Sequence, residues 1–228
     1  MTPTFDQIVP HPDGLDDGED MELLHERAYI VRAYRKGDDI LVLRGAVRDQ
    51  KPPGLYLAED PEPLTVHHMI VDLHVQVPSL EIVDAKVVFE MFPHGLCPSI
   101  AENYQGLIGL SIARGFINKV RELYGGPRGC THTTALLQAM APVAIQSMWS
   151  FQVRQARESG ELGESPFATP EGRERSLRMN LNTCHVWAED GEQVAAVRDG
   201  RPPAIPVWVE ERFRKLGLDP QEWRNGGA

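Results

Sequence analysis

The amino-acid sequence predicts an α+β fold, in which an antiparallel meander sheet packs against a long helix and several shorter helices. Three observations lead to this prediction. β-rich runs fill the first half of the chain, turn residues separate neighbouring runs, and helix-spaced apolar residues follow near the middle. Strands that precede helices, rather than alternating with them, are typical of the α+β class.

The predicted sheet consists of two hairpins. The first comprises residues 28–35 and 39–48 around the turn sequence KGDD, and the second comprises 67–77 and 80–92 around PSL. Side chains alternate between the two faces of a strand, and the apolar set in 67–77 begins with His67. We therefore expect His67 to point inward at the edge of the sheet.

Helical patterns begin near Pro98, where a short helix is predicted, and a second short helix ends at Gly125. A long helix is predicted over 131–156 because its apolar residues recur every three or four positions. Pro142 lies inside this run, where it removes a backbone donor. We expect a kink there, or two helices in sequence.

The last part of the chain predicts a polar loop at 158–176 and a short strand pair over 181–188 and 193–197. The sequence VEERFRKLGL predicts an amphipathic closing helix that ends near Gly217. We expect this helix to pack on the protein's own core, with a contact between copies in a homo-oligomer as the alternative.

Composition narrows the class of protein. A net charge of −10 over 228 residues argues against nucleic-acid binding, which favours a basic face. The sequence shows neither a membrane-spanning run nor a secretory signal, and its three cysteines do not suggest a disulfide framework. We therefore expect a cytoplasmic protein without a membrane partner. Its predicted organisation is an acidic N-terminal arm at 1–24 and a single α+β domain at 25–228.

The sequence GGPRGCTH, residues 125–132, concentrates candidate chemistry at the start of the long helix. Each cysteine of the chain lies close to a histidine, at the end of a predicted element. Thiolate and imidazole together suit zinc or iron. The candidate ligands for such a divalent metal are His67, Cys97, Cys130, His132, Cys184 and His185.

Other interpretations of these residues stay open. A cysteine at a helix start is favoured as a thiolate, so Cys130 is also a candidate nucleophile. Its base is expected to be His67 or His185, because residues two apart in a helix, such as Cys130 and His132, point to different faces. Alternatively, each cysteine is simply a small buried apolar residue.

A substrate pocket is expected between the sheet and the start of the long helix. Arg128 and Arg114 are candidates to hold an anionic group of the substrate, and Trp149 is a candidate for the apolar wall of the pocket. The competing interpretation of GGPRG is that its glycines end one helix and a threonine begins the next.

Several phrases in order resemble a bacterial family called domain of unknown function 2889. They are RAYIVRAYRKGDDILVLRGAVRDQKP, VHHM, GLCPSIAENYQGLIGLSIARGFINKVRELYGGPRGCTH and TCHVWAEDG, covering about residues 20–200. Where the family usually has Leu-His-Asp-Met, this chain has His68 in place of Asp. The resemblance implies that the candidate cysteines and histidines occupy recurrent family positions.

Together these observations predict a small-molecule enzyme. The leading hypothesis is a metal-assisted hydrolase or lyase acting on a carboxylate- or ester-bearing catabolite, with Cys130, His132 and His67 as catalytic residues. One alternative is a thiol-dependent hydrolase. Another is a non-catalytic ligand-binding or structural protein with a closed zinc site.

Overall fold

A four-stranded antiparallel sheet forms the first part of the molecule. The structure, a computed structural model, describes residues 22–113, 115–160, 167, 169–201 and 203–225. The strands are β1 (Glu26–Lys36), β2 (Ile40–Lys51), β3 (Leu64–Gln76) and β4 (Glu81–Met91), and they pair in the order β1-β2-β3-β4. This sheet confirms the predicted meander. Of the predicted acidic arm, residues 1–21 lie outside the described residues.

Helices follow the sheet, which confirms the α+β class. A 3-10 segment, Cys97–Leu107, comes first, followed by α1 (Phe116–Tyr124) and α2 (Thr131–Ser159). The helix α2 continues through Pro142, so the predicted division into two helices is not observed. The proline's missing N–H removes one intrahelical bond, and the rest of the helix continues on either side of it.

The core of this part lies between α2 and one face of the sheet. A Cβ atom added at Gly45 of β2 would lie 2.8 Å from Sδ of Met140 and 3.1 Å from Cδ1 of Leu136. The absence of a side chain at Gly45 therefore lets α2 cross close to the sheet. The same face carries the buried alternating residues of β2 and β3, which are Leu41, Leu43, Val47, Met69, Val71, Leu73 and Val75.

The chain divides into two compact units between Trp149 and Ser150, and each is described by itself. The single domain predicted for 25–228 stays a prediction. Within the second unit the helices are α3 (Pro170–Asn180), α4 (Glu192–Arg198) and α5 (Val207–Leu216). The closing helix is confirmed, and Gly217 ends it in the left-handed conformation with φ 71°.

Two predictions for the second unit are wrong. The predicted polar loop at 158–176 does not extend to residue 176, because Thr169 accepts a bond from the backbone of Gly172 and starts α3. The predicted strand pair is absent, since 193–197 lies within α4 and residues 181–188 form turns around the 3-10 segment His185–Trp187. β-branched residues suggested strands there, yet the two valines of α4 are buried at helical spacing.

Candidate functional site

A buried carboxylate, Asp49, is the centre of the candidate site. In β2 it continues the buried alternating series of Leu43 and Val47, and it is 1% exposed. The strand register places Arg27 of β1 on one side of Asp49 and His67 of β3 on the other. The sheet alone therefore brings a cation and an imidazole to the same carboxylate.

Arg27 binds Asp49 through two parallel contacts. Its Nε donates to Oδ1 at 2.5 Å, and its Nη2 donates to Oδ2 at 2.7 Å. Burial alone would raise the pKa of Asp49, but the hydrogen bonds and charge of Arg27 outweigh it and hold that pKa below 3.8. The hydrogen bond to Asp49 in turn raises the pKa of Arg27. The carboxylate is thus ionised at neutral pH.

Two imidazoles meet at one oxygen of this carboxylate. Nδ1 of His67 and Nε2 of His132 each lie 3.1 Å from Oδ2 of Asp49. The two rings are stacked, with centroids 3.9 Å apart and planes inclined by 28°. His25 is a third imidazole near the carboxylate, with Nε2 at 3.5 Å from Oδ1.

The environment of His132 favours its neutral form. Burial lowers its pKa below 6.5, and the charge of Arg27, or of a protonated His67, acts in the same direction, while Asp49 opposes them. An ionised carboxylate only accepts hydrogen bonds, so the nitrogen that faces Asp49 in each ring carries the hydrogen. This arrangement leaves Nδ1 of His132 and Nε2 of His67 as the basic nitrogens.

Cys130 lies on the far side of His132 from Asp49. Its Sγ is 3.8 Å from Nδ1 of His132. The sequence-based expectation that these two residues point to different faces is wrong, because Cys130 precedes α2 rather than lying within it. Its carbonyl accepts the first bond of the helix, from the N–H of Thr134 at 2.9 Å. Its own N–H donates to the hydroxyl of Tyr104 at 2.8 Å.

The structure thus brings together His67, Cys130 and His132 from the predicted candidates. Among the described residues, Asp49, His67 and His132 are the set whose ligand atoms all lie within 4.8 Å of one another. No cysteine belongs to that set. Cys97 begins the 3-10 segment after β4 and is half-buried.

The remaining candidates have other positions. Arg128 is exposed at the end of a 3-10 turn two residues before Cys130, and Trp149 is half-buried on α2. Arg114 lies outside the described residues. Cys184 and His185 belong to the second unit, and neither belongs to the set around Asp49.

Sequence reasoning missed Asp49, Arg27 and His25. A signal for Asp49 was present, because a carboxylate continues the apolar series of β2 where another apolar residue is expected. The register of the first hairpin then identifies Arg27 as its neighbour.

A separate groove of about 400 Å³ lies on the opposite face of the sheet. Its lining residues are Tyr34, Val42, Arg44, Asp72, His74, Asp84 and Lys86. None of them belongs to the set around Asp49. The groove is therefore distinct from the candidate site.

The fold and the cluster define an α+β protein in which a buried carboxylate at one end of a meander sheet holds two imidazoles. The chain belongs to the family described as Protein of unknown function (DUF2889), whose model matches residues 25–146, more than half of the chain. That span includes Asp49, His67, Cys130 and His132 but neither Cys184 nor His185. No curated protein and no solved structure matches the chain. Within the described ranges, no helix has the length and apolar character needed to cross a membrane.

Proposed function

We propose that this protein is a small-molecule hydrolase or lyase in which His67 and His132 act as general acid–base groups and Asp49 orients them. The observation that supports the proposal is the convergence of both imidazoles on one oxygen of a buried carboxylate. A carboxylate that fixes the tautomer and orientation of a histidine recurs in enzymes that transfer protons.

The electrostatics of the cluster suit proton transfer. Arg27 keeps Asp49 ionised, so both rings donate to it and each retains one basic nitrogen. The lowered pKa of His132 leaves this base neutral near pH 7, where it can accept a proton. The side chains of His67 and His132 are 22% and 17% exposed, so both rings are partly accessible to solvent.

We propose an ester- or carboxylate-bearing substrate. Nε and Nη2 of Arg27 already donate to Asp49, so this pair of donors cannot also bind an anionic group of the substrate. The proposal assigns that role to Arg128, whose exposed side chain belongs to the segment that leads into Cys130. Arginine binds carboxylates through paired N–H donors, which favours it for this role.

A metal-assisted reaction is the alternative at the same cluster. The three ligand atoms lie close enough together for one cation. One feature disfavours it. The Arg27 guanidinium already binds Oδ2 of Asp49, which places a positive charge beside any cation. We therefore propose the reaction without a metal.

The proposal is tested with single-site variants and a panel of small carboxylic esters and hydroxy acids. We expect His67→Gln and His132→Gln each to lower turnover by about 10²-fold or more, the usual contribution of a general acid or base. The matched control is His68→Gln, because His68 follows His67 on β3 and alternates to the opposite face. Turnover that is unchanged in either site variant would contradict the proposal.

Metal analysis of the same purified protein separates the alternatives. The proposal predicts activity that survives extensive chelation and does not follow metal content. Activity restored only by zinc or iron would favour the metal-assisted reaction. Loss of the folded state on chelation would instead favour a closed structural site.

A further inference from the structure

We infer that Cys130 is the nucleophile of an acyl-transfer reaction at this site, so that the substrate is a carboxylic ester and the reaction a hydrolysis through a thioester intermediate. This inference rests on the proposed function, because it uses His132 as the base. It assigns a covalent step that proton transfer by two histidines does not require.

The ring of His132 lies between the thiol of Cys130 and the carboxylate of Asp49 and contacts both. Sγ of Cys130 lies 3.8 Å from Nδ1 of His132, and Nε2 of the same ring lies 3.1 Å from Oδ2 of Asp49. A nucleophile, a base in contact with it and a third group that orients the base are the parts that nucleophilic catalysis needs.

The tautomer of His132 agrees with these roles. Because Asp49 is ionised and accepts from Nε2, the ring hydrogen is on Nε2, and Nδ1 has its lone pair available for the thiol proton. The opposite tautomer would point a donor at Cys130 and would leave Asp49 without this hydrogen bond. The charge of Asp49 at Nε2 of His132 therefore makes Nδ1 the nitrogen that can accept the thiol proton.

The backbone of Cys130 is fixed by a buried tyrosine. The hydroxyl of Tyr104, a residue with 0% exposure, accepts the N–H of Cys130 at 2.8 Å. The ring of Tyr104 stacks on that of Tyr124, with centroids 4.6 Å apart. A Cβ atom added at Gly129 would lie 2.5 Å from the carbonyl oxygen of Tyr124 and 3.0 Å from the hydroxyl of Tyr104. Gly129 thus lets the chain approach this tyrosine pair and present the thiol to His132.

The reaction follows in balanced steps. The thiol proton moves to Nδ1 of His132 as Sγ forms a bond to the ester carbonyl carbon, and the C=O electron pair moves to the oxygen. The N–H groups of residues 131–133, which precede the first hydrogen bond of α2, suit the developing negative charge. When the C=O bond re-forms, the bond to the alkoxy group breaks and that oxygen takes the proton from Nδ1. Water then loses a proton to Nδ1 as its oxygen forms a bond to the thioester carbonyl carbon. The C–S bond breaks, the carboxylic acid leaves, and Sγ takes the proton back from Nδ1.

Cys184 serves as an internal comparison for the reactivity of Cys130. Cys130 is half-buried, whereas Cys184 is exposed, so accessibility alone predicts faster modification of Cys184. We expect the reverse with iodoacetamide at pH 7, with Cys130 at least about tenfold faster when each site is followed by peptide mass spectrometry. We also expect 4-nitrophenyl acetate to leave an acetyl group on Cys130 of the wild-type protein. A rate at Cys130 no greater than that at Cys184, or acetylation elsewhere only, would overturn the inference.

Variants separate the thiol role from the acid–base proposal. Loss of ester hydrolysis in both Cys130→Ala and His132→Gln supports the inference, provided that both variants keep the wild-type circular dichroism spectrum. Hydrolysis that persists in Cys130→Ala but is lost in His132→Gln overturns the thiol role and leaves the acid–base proposal intact. Hydrolysis that persists in both variants overturns both proposals.

Discussion

Replacement of Asp49 by asparagine is expected to destabilise the folded protein and to disorganise both imidazoles. The carboxylate accepts two hydrogen bonds from Arg27 and one from each of His67 and His132. Asparagine keeps the shape and one accepting oxygen, but its NH2 group meets N–H donors. Hydrogen bonds to charged groups contribute about 1.5–3 kcal/mol each. Arg27 is 36% exposed, so water replaces part of the hydrogen bonding that its guanidinium loses in Asp49→Asn. We expect the free energy of unfolding to fall by about 2 kcal/mol at pH 7.

The effect of Asp49→Asn is expected to depend on pH with a defined sign. The folded-state pKa of Asp49 is lowered from 3.8, so its ionisation stabilises the folded protein above that value. This contribution is lost as the pH falls through the folded-state pKa. Urea unfolding of both proteins should therefore give a difference that is full at pH 7 and shrinks below about pH 4.

The control for this prediction is Asp84→Asn. Asp84 is a β4 carboxylate whose side chain is 61% exposed, and its replacement should change stability by less than about 0.5 kcal/mol. Asp49→Asn with wild-type stability at pH 7, or with a loss that stays constant down to pH 3, would refute the account of the buried carboxylate.

Three further predictions concern the surroundings of Asp49. Since the folded-state pKa of His132 lies below 6.5, the wild-type protein should lose stability as the pH falls below that value, and urea unfolding of His132→Gln should lack this step. Tyr104→Phe should lower the free energy of unfolding by about 1 kcal/mol, because the N–H of Cys130 loses its acceptor. Tyr124→Phe should show little or no loss of stability in thermal unfolding. The hydroxyl of Tyr124 is buried and has no partner among the residues that the structure describes, and burial raises its pKa to about 12. Gly129→Ala should cost about 1–3 kcal/mol in urea unfolding, since its new methyl group would lie 2.5 Å from a backbone oxygen.

Much of the first unit was predictable because strand alternation is a strong signal. Alternating burial in β3 was clear enough to predict the inward position of His67, which contacts Asp49 in the structure. The long helix was predictable from its apolar spacing. In the second unit the sequence pattern was a weaker guide. Residues 193–197 form a short run rich in valine and alanine, and periodicity alone cannot assign so short an apolar run to a strand or a helix.

The candidate site was predictable only in part. His67, Cys130 and His132 were candidates from sequence, but their partner Asp49 was overlooked because no motif surrounds it. Its role depends on cross-strand register, which juxtaposes residues 22 positions apart in sequence for the contact with Arg27. The contact between Cys130 and His132 depends on the residue at which α2 begins, and helix boundaries are weakly determined by sequence.

Long-range ¹H–¹⁵N NMR correlation of histidine-labelled protein at neutral pH tests the central claim most directly, because it reads the protonation of each ring nitrogen without a substrate. The account predicts hydrogen on Nε2 and a bare Nδ1 in His132, with the opposite tautomer in His67, and it predicts that Asp49→Asn disturbs both. Hydrogen on Nδ1 of His132, or tautomers that do not respond to the loss of the Asp49 charge, would contradict it.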